Sequence, residues 1–176
     1  MLISIEELKK IDEFKNIPDN TLELKIKAIE QTIRQITSNK FQNRLKRIVA
    51  SSNDNMLNGT SPYFKIGDTI EISAGINTGL YTIKSITDTN IVFNEELLDY
   101  QDNLCTKIEY PLDIINGAIE LLKWEVSPKS TKNKIGIASE TISRHSVSYA
   151  NNKDNIKYGY PIELLGFCIP YEKARF

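Results

Sequence analysis

The sequence predicts a mainly α fold: a small helical bundle of about four helices with a β module inserted between the second and the third. Three observations carry this expectation. Leu22, Ile26, Ile29, Ile33 and Ile36 recur at spacings of four, three, four and three, which places five large apolar side chains on one helix face. Pro111 and Pro161 each open an apolar run at the first-turn position that proline favours. Ahead of Pro111, over residues 64–110, the apolar pattern alternates with the period of a strand.

The elements follow in order. Ser4 with Glu7 forms a capping box, opening a helix to about Phe14 with Ile5, Leu8 and Ile11 as its stripe. Pro18 separates it from the second helix, for which Asn20 is the cap. Five apolar residues span too few heptads for a free coiled coil, so this helix is assigned to a core. Residues 41–57 are basic and then polar, with 51–55 read as a loop. Ile70 and Ile72 alternate in one strand, and Tyr81 and Ile83 in the next. Gly75 and Gly79 bracket a turn between these strands. Ile91-Val92-Phe93 and residues 107–110 supply further strands. The third helix buries Ile115, Ala118, Ile119, Leu122 and Val126 and ends at Pro128. Residues 129–159 are polar, with a short apolar element near 135–142. The last helix packs Leu164, Leu165 and Cys168 and is stopped or kinked by Pro170. The domain reading is therefore residues 1–58 and 111–176 as the helical part, with 59–110 inserted.

Charge sharpens that boundary. The net charge is −1, so no global field draws the chain to nucleic acid or an anionic membrane. The block 59–110, however, holds three basic and eight acidic residues, while both flanks are slightly basic. Cys105 and Cys168 fit no CxxC spacing and read as reduced, partly buried thiols. The N-terminal stretch lacks a signal peptide's pattern, and no run approaches a membrane span.

Chemistry-bearing patterns are scarce. His145 is the single histidine and has no nucleophile motif beside it. No His/Cys set has zinc spacing, and the glycine pair at 75 and 79 is not followed by Lys-Ser/Thr, as a phosphate loop requires. Glu95, Glu96, Asp99 and Asp102 read as a solvated acidic face. Arg44, Lys46 and Arg47, with Lys129, Lys132 and Lys134, form a weak basic patch without interleaved aromatics. The expectation is no enzyme, no cofactor and no metal.

The order of helices, loop and tail resembles the phage head–tail connector (adaptor) family. The resemblance covers residues 1–45 and 111–176. It is carried by Ser139-Glu140-Thr141-Ile142, by Ser146-Val147-Ser148-Tyr149, by the start at Tyr160-Pro161, and by the basic, Phe-terminated end 171–176. Ser143-Arg144 stands where the family commonly has Gly, and the family's short connection between helices two and three is expanded. The inserted module resembles small β-barrel inserts of phage structural proteins. It does so through Phe64-Lys65-Ile66-Gly67-Asp68-Thr69-Ile70-Glu71-Ile72 and Asn77-Thr78-Gly79-Leu80-Tyr81-Thr82-Ile83.

The resemblance implies a dodecameric homo-oligomeric ring docked on the portal protein and joining head to tail. A tail-completion or tail-terminator protein would sit on its other side, and DNA would pass through the lumen without sequence readout. The protein would act in the virion neck, after assembly in the host cytoplasm, with no membrane. Tyr171, Lys173, Arg175 and Phe176 would contact the portal, and Ser139, Glu140, Thr141 and Ile142 would form a ring or lumen loop. The other reading of the tail is a segment folded back on its own core. Two other functions fit the same residues: a different neck or tail-completion protein, and a ligand-binding protein using the β module.

Overall fold

The computed structural model describes residues 2–73, 75–127, 139–142, 145–148 and 156–174. The chain divides into two compact units, one of Met1–Lys9 with Asn39–Pro111 and one of Lys10–Ser38 with Leu112–Phe176. Helical residues make up 35% and strand residues 31%, so the fold is mixed and the mainly α expectation is wrong.

The first unit begins with α1 (Ile5–Leu8). The Ser4–Glu7 capping box forms as expected, with the Glu7 N–H donating to Ser4 Oγ at 3.2 Å. The helix lasts a single turn instead of reaching Phe14. Six strands follow: β1 (Gln42–Asn53), β2 (Met56–Asn58), β3 (Thr69–Ile72), β4 (Gly79–Ile86), β5 (Asn90–Phe93) and β6 (Tyr100–Ile108). They close into a barrel in the order β1-β2-β5-β4-β3-β6, every pair antiparallel, with β1 joined to β2 through Ser51–Asn53 only.

Residues 42–58, counted with the helical part and with 51–55 read as a loop, in fact carry the first two strands. Asp54 and Asn55 have φ of 49° and 61°, and Asn53 pairs with Met56. A two-residue hairpin turn with both φ positive matches the twist of its strands, and Asp and Asn tolerate that conformation best after glycine. The supposed loop is thus a tight hairpin, and the barrel unit begins at Asn39.

The barrel core is built by period-two alternation. Ile70, Ile72, Tyr81, Ile83, Ile91, Phe93 and Cys105 belong to this core with Leu57 of β2, and Phe64 and Leu97 join it from outside the strands. Tyr81 and Phe93 pack with ring centroids 5.3 Å apart. Register shifts in the β1–β6 pairing, between Gln42 and Arg47 and between Ala50 and Ser52, supply the bends that closure requires. Phe41 and Tyr110 stack at 4.8 Å, so the chain enters and leaves this unit at neighbouring points.

The second unit opens with a 3₁₀ turn (Asp12–Phe14) and α2 (Asp19–Thr37). Leu22, Ile26, Ile29 and Ile33 are buried as the spacing predicts, while Ile36 is half-buried. Pro18, rather than Asn20, occupies the N-cap, and Ser38 ends the helix in the left-handed region. α3 (Leu112–Val126) buries Ile114, Ala118, Leu121 and Leu122, a face rotated from the expected one but sharing Ala118 and Leu122 with it.

Short elements complete this unit. β7 (Ser139–Ile142) pairs with β8 (His145–Ser148), and β9 (Ile156–Lys157) with β10 (Tyr160–Pro161). The chain then forms a 3₁₀ helix, Ile162–Tyr171, where an α-helix was expected. Ten residues are long for this type, whose hydrogen bonds are poorer than those of an α-helix. Its three-residue repeat aligns Leu165 with Cys168, both buried.

Candidate functional site

The residues expected to act lie in the C-terminal segment, the β7–β8 hairpin and the barrel surface. The C-terminal 3₁₀ helix is seated on α3 through a glycine. A Cβ added at Gly117 would lie 2.4 Å from Cγ and Cδ1 of Phe167, so the ring rests on bare backbone. Two further bonds hold the segment. Tyr171 donates its hydroxyl to Asp113 at 2.7–2.8 Å, and the Lys173 N–H donates to the Thr37 carbonyl at 2.7 Å. The hydrogen bond to Asp113 holds the Tyr171 hydroxyl above the usual phenol pKa. Tyr171 is therefore tied to its own unit, as in the folded-back reading. The Lys173 side chain is exposed, and Arg175 and Phe176 lie outside the described residues. Around the same segment Leu112 is 78% and Ile169 68% exposed.

A part-buried polar cluster joins the elements of this unit. Tyr160 donates to Glu125 Oε1 at 2.6 Å, and Lys25 reaches Glu125 Oε2 at 2.5 Å, linking β10, α3 and α2. Burial first, and the Glu125 carboxylate second, keep the Tyr160 hydroxyl protonated well above its ordinary range. Sequence reasoning did not single out Glu125. It stands among Lys123, Trp124 and Val126 with nothing to separate it from a solvated helix acid.

Ser139, Glu140, Thr141 and Ile142 form β7, in register with Ser148, Val147, Ser146 and His145. The two motif segments quoted from the sequence are thus the two arms of one hairpin. Positions 143 and 144, where Ser-Arg replaces Gly, lie outside the described residues, as does 149.

The barrel surface sorts the charged candidates. Glu95 accepts the Thr82 N–H at 2.7 Å and Asp99 the Asp54 N–H at 3.1 Å, so both hold the backbone together. Glu96 and Asp102 are exposed. Lys46 and Asn43 donate to Glu109 at 2.6 and 2.7 Å. Burial pushes the Glu109 carboxyl up, but these bonds outweigh it and hold the group below the usual carboxylate range. Arg44 and Arg47 are exposed. Lys129, Lys132 and Lys134 lie outside the described residues, so a joint basic patch with them is not defined.

Several chemistries find little support here. Cys105 and Cys168 are free and buried, and burial pushes their thiols up to about 12 and about 11. They are neutral thiols at pH 7 and poor nucleophiles. Among the described residues no group of three His, Cys, Asp or Glu is placed to hold a metal ion, and no helix is long and apolar enough to cross a membrane. Tyr81, Phe93 and Phe64 are core residues, and the Tyr100 ring lies against Gly75. Tyr63 stays 54% exposed, too little by itself for a stacking platform. A recess of about 320 Å³ lies beside Ser4, Gly67, Thr82 and Lys84, with no thiol, imidazole or carboxylate lining it. Compared with protein-family models and with curated proteins, the sequence matches none of them.

Proposed function

We propose that this protein is a structural subunit of a phage head–tail connector ring, docked on the portal and joining head to tail. The observation that carries the reading is the order of elements in the second unit: α2, α3, the β7–β8 hairpin and a Pro161-led terminal helix. The hairpin arms are the two segments on which the resemblance to connector proteins rests. A ring subunit needs rigid lateral faces and a terminus able to clasp the neighbouring ring, not a reactive centre. The burial of both thiols fits such a role. The portal contact would use Lys173, Arg175 and Phe176, with exposed Ile169 and Leu112 adding apolar surface. Tyr171 would position that end through Asp113 instead of meeting the portal itself.

A ligand-binding role for the barrel is the weaker reading, because its large aromatics are mostly spent on the core. The two readings separate in one experiment. Purified chain is mixed with portal rings and sedimented, and the pellet is imaged. The connector reading expects stoichiometric co-sedimentation and a second ring coaxial with the portal. A chain that stays in the supernatant at all ratios contradicts it.

A further inference from the structure

We infer that the barrel unit binds a second copy of this chain head to tail, through two surfaces at opposite ends of β1. The basic surface is the start of β1. Leu45 is 90% exposed there, flanked by exposed Arg44 and Arg47. The nearby acid, Glu109, is already neutralised by Lys46 at 2.6 Å and approached by Lys107 at 3.7 Å. Two guanidinium groups and a leucine are thus presented outward on one strand. A leucine so exposed is unremarkable alone; the two arginines beside it, at a register shift of β1, are the residue type that interface hot spots favour.

The acidic surface is the other end of the barrel. Asp54, Glu96, Asp99 and Asp102 are exposed there, together with Leu98 at 57%. This end is preorganised by hydrogen bonds. Asn77 accepts the Leu98 N–H at 3.0 Å and donates to the Leu98 carbonyl at 2.8 Å. Asn55 accepts the Leu97 N–H at 2.6 Å, and Asp99 accepts the Asp54 N–H at 3.1 Å. Each surface therefore carries an exposed leucine beside exposed charges of one sign, two arginines at one end and four carboxylates at the other. Arg44 and Asn53 are nine residues apart on one strand, at most about 30 Å at ~3.3 Å per residue and less for its two register shifts, so the two surfaces lie at separate ends of the strand.

Complementary surfaces that are distinct on one molecule make a heterologous contact, which forms a ring if the rotation closes and a filament if it does not. Ring closure rests on the connector reading. The pairwise contact does not.

The test uses the full chain with Arg44→Glu/Arg47→Glu, with Glu96→Lys/Asp102→Lys, and with all four changes. These four side chains are exposed, so the variants should fold, which circular dichroism checks first. Sedimentation is followed against concentration at about 0.05 M and about 0.5 M salt. The wild type should associate at low salt and less at high salt. Each double variant should remain monomeric, the two mixed should form a one-to-one complex, and the fourfold variant should regain self-association. Double variants that associate like the wild type overturn the contact. A short single-stranded DNA bound by the wild type and lost with Arg44→Glu/Arg47→Glu, with self-association unaltered, also overturns it and gives the basic strip to nucleic acid. If the variants lose association but the wild type forms no ring on portals, the contact stands and the connector reading fails. If the variants still build portal rings, the reverse holds.

Discussion

Gly117→Ala sets two physical effects against each other at one atom. Alanine in a helix interior is favoured over glycine by about 0.8–1.0 kcal/mol, so propensity alone predicts stabilisation. The new methyl, however, would lie 2.4–2.5 Å from three atoms of the Phe167 ring, where carbon contacts settle near ~3.5–4.0 Å. The ring must therefore retreat by about 1 Å or more, and it lies between Gly166 and buried Cys168 on the terminal 3₁₀ helix. Overpacking of this kind costs about 1–3 kcal/mol. The clash meets the flat of an aromatic ring rather than the end of a flexible chain, so the upper part of that range applies. The net expectation is a loss of about 1–2 kcal/mol, or about 2–8 °C at ~2–4 °C per kcal/mol. Thermal unfolding followed by helical circular dichroism measures it. A Phe167→Ala background removes the obstacle, so there the same change should become neutral or stabilising. If Gly117→Ala raises the midpoint in the wild-type background, the seating of the terminal helix on α3 is wrong.

The same structure predicts the outcome of other perturbations. Ile83→Ala, at a fully buried barrel position, should cost about 2–5 kcal/mol in urea unfolding, and a loss under about 1 kcal/mol would remove Ile83 from the core. Asn77→Ala leaves the Leu98 amide and the buried Asn103 side-chain oxygen without their partner and should cost about 1–3 kcal/mol; no change would mean the loop is held by other contacts. Removing residues 171–176 should lower the thermal midpoint, because the Asp113 and Thr37 bonds go with them. Removing only 174–176 should leave the midpoint alone, which makes it the clean test of portal binding by Arg175 and Phe176. A disulfide-exchange reagent at pH 7.5 should label neither Cys105 nor Cys168 in folded protein and both after denaturation, since burial keeps the thiols neutral and covered; rapid native labelling would contradict their placement.

Legibility in the sequence followed the strength of local patterns. The buried stripe of α2 was readable because four of its residues, Leu22 to Ile33, recur at helical spacing and nothing else competes. The Ser4–Glu7 box was equally plain, but it could not say that the helix would stop after one turn. β1 was missed because its exposed half reads Arg44-Leu45-Lys46-Arg47, a string with no alternation, and its inward residues Ala50 and Ser52 are small or polar. Ser52 faces inward because it bonds to Asn77 and Asn103, a network spread over 51 residues of sequence that no local window contains. The face of α3 was misjudged by a small rotation, since Ile114, Ile115, Ile119 and Leu121 are equally apolar and only packing selects among them. Among the site residues, the Tyr171–Asp113 bond joins positions 58 apart and left no sequence signal. Arg44 and Arg47 were noticed as basic, but their exposure beside Leu45 is a property of the barrel.

A ring on a portal is large enough to be seen in a single image. Full-length chain incubated with purified portal rings should give, by electron cryo-microscopy, a closed second ring coaxial with the portal, with the terminal segment after Tyr171 at the junction. The barrel units should follow one another around it. Density for isolated copies scattered on the portal surface, or portal rings with nothing added, would contradict the connector reading.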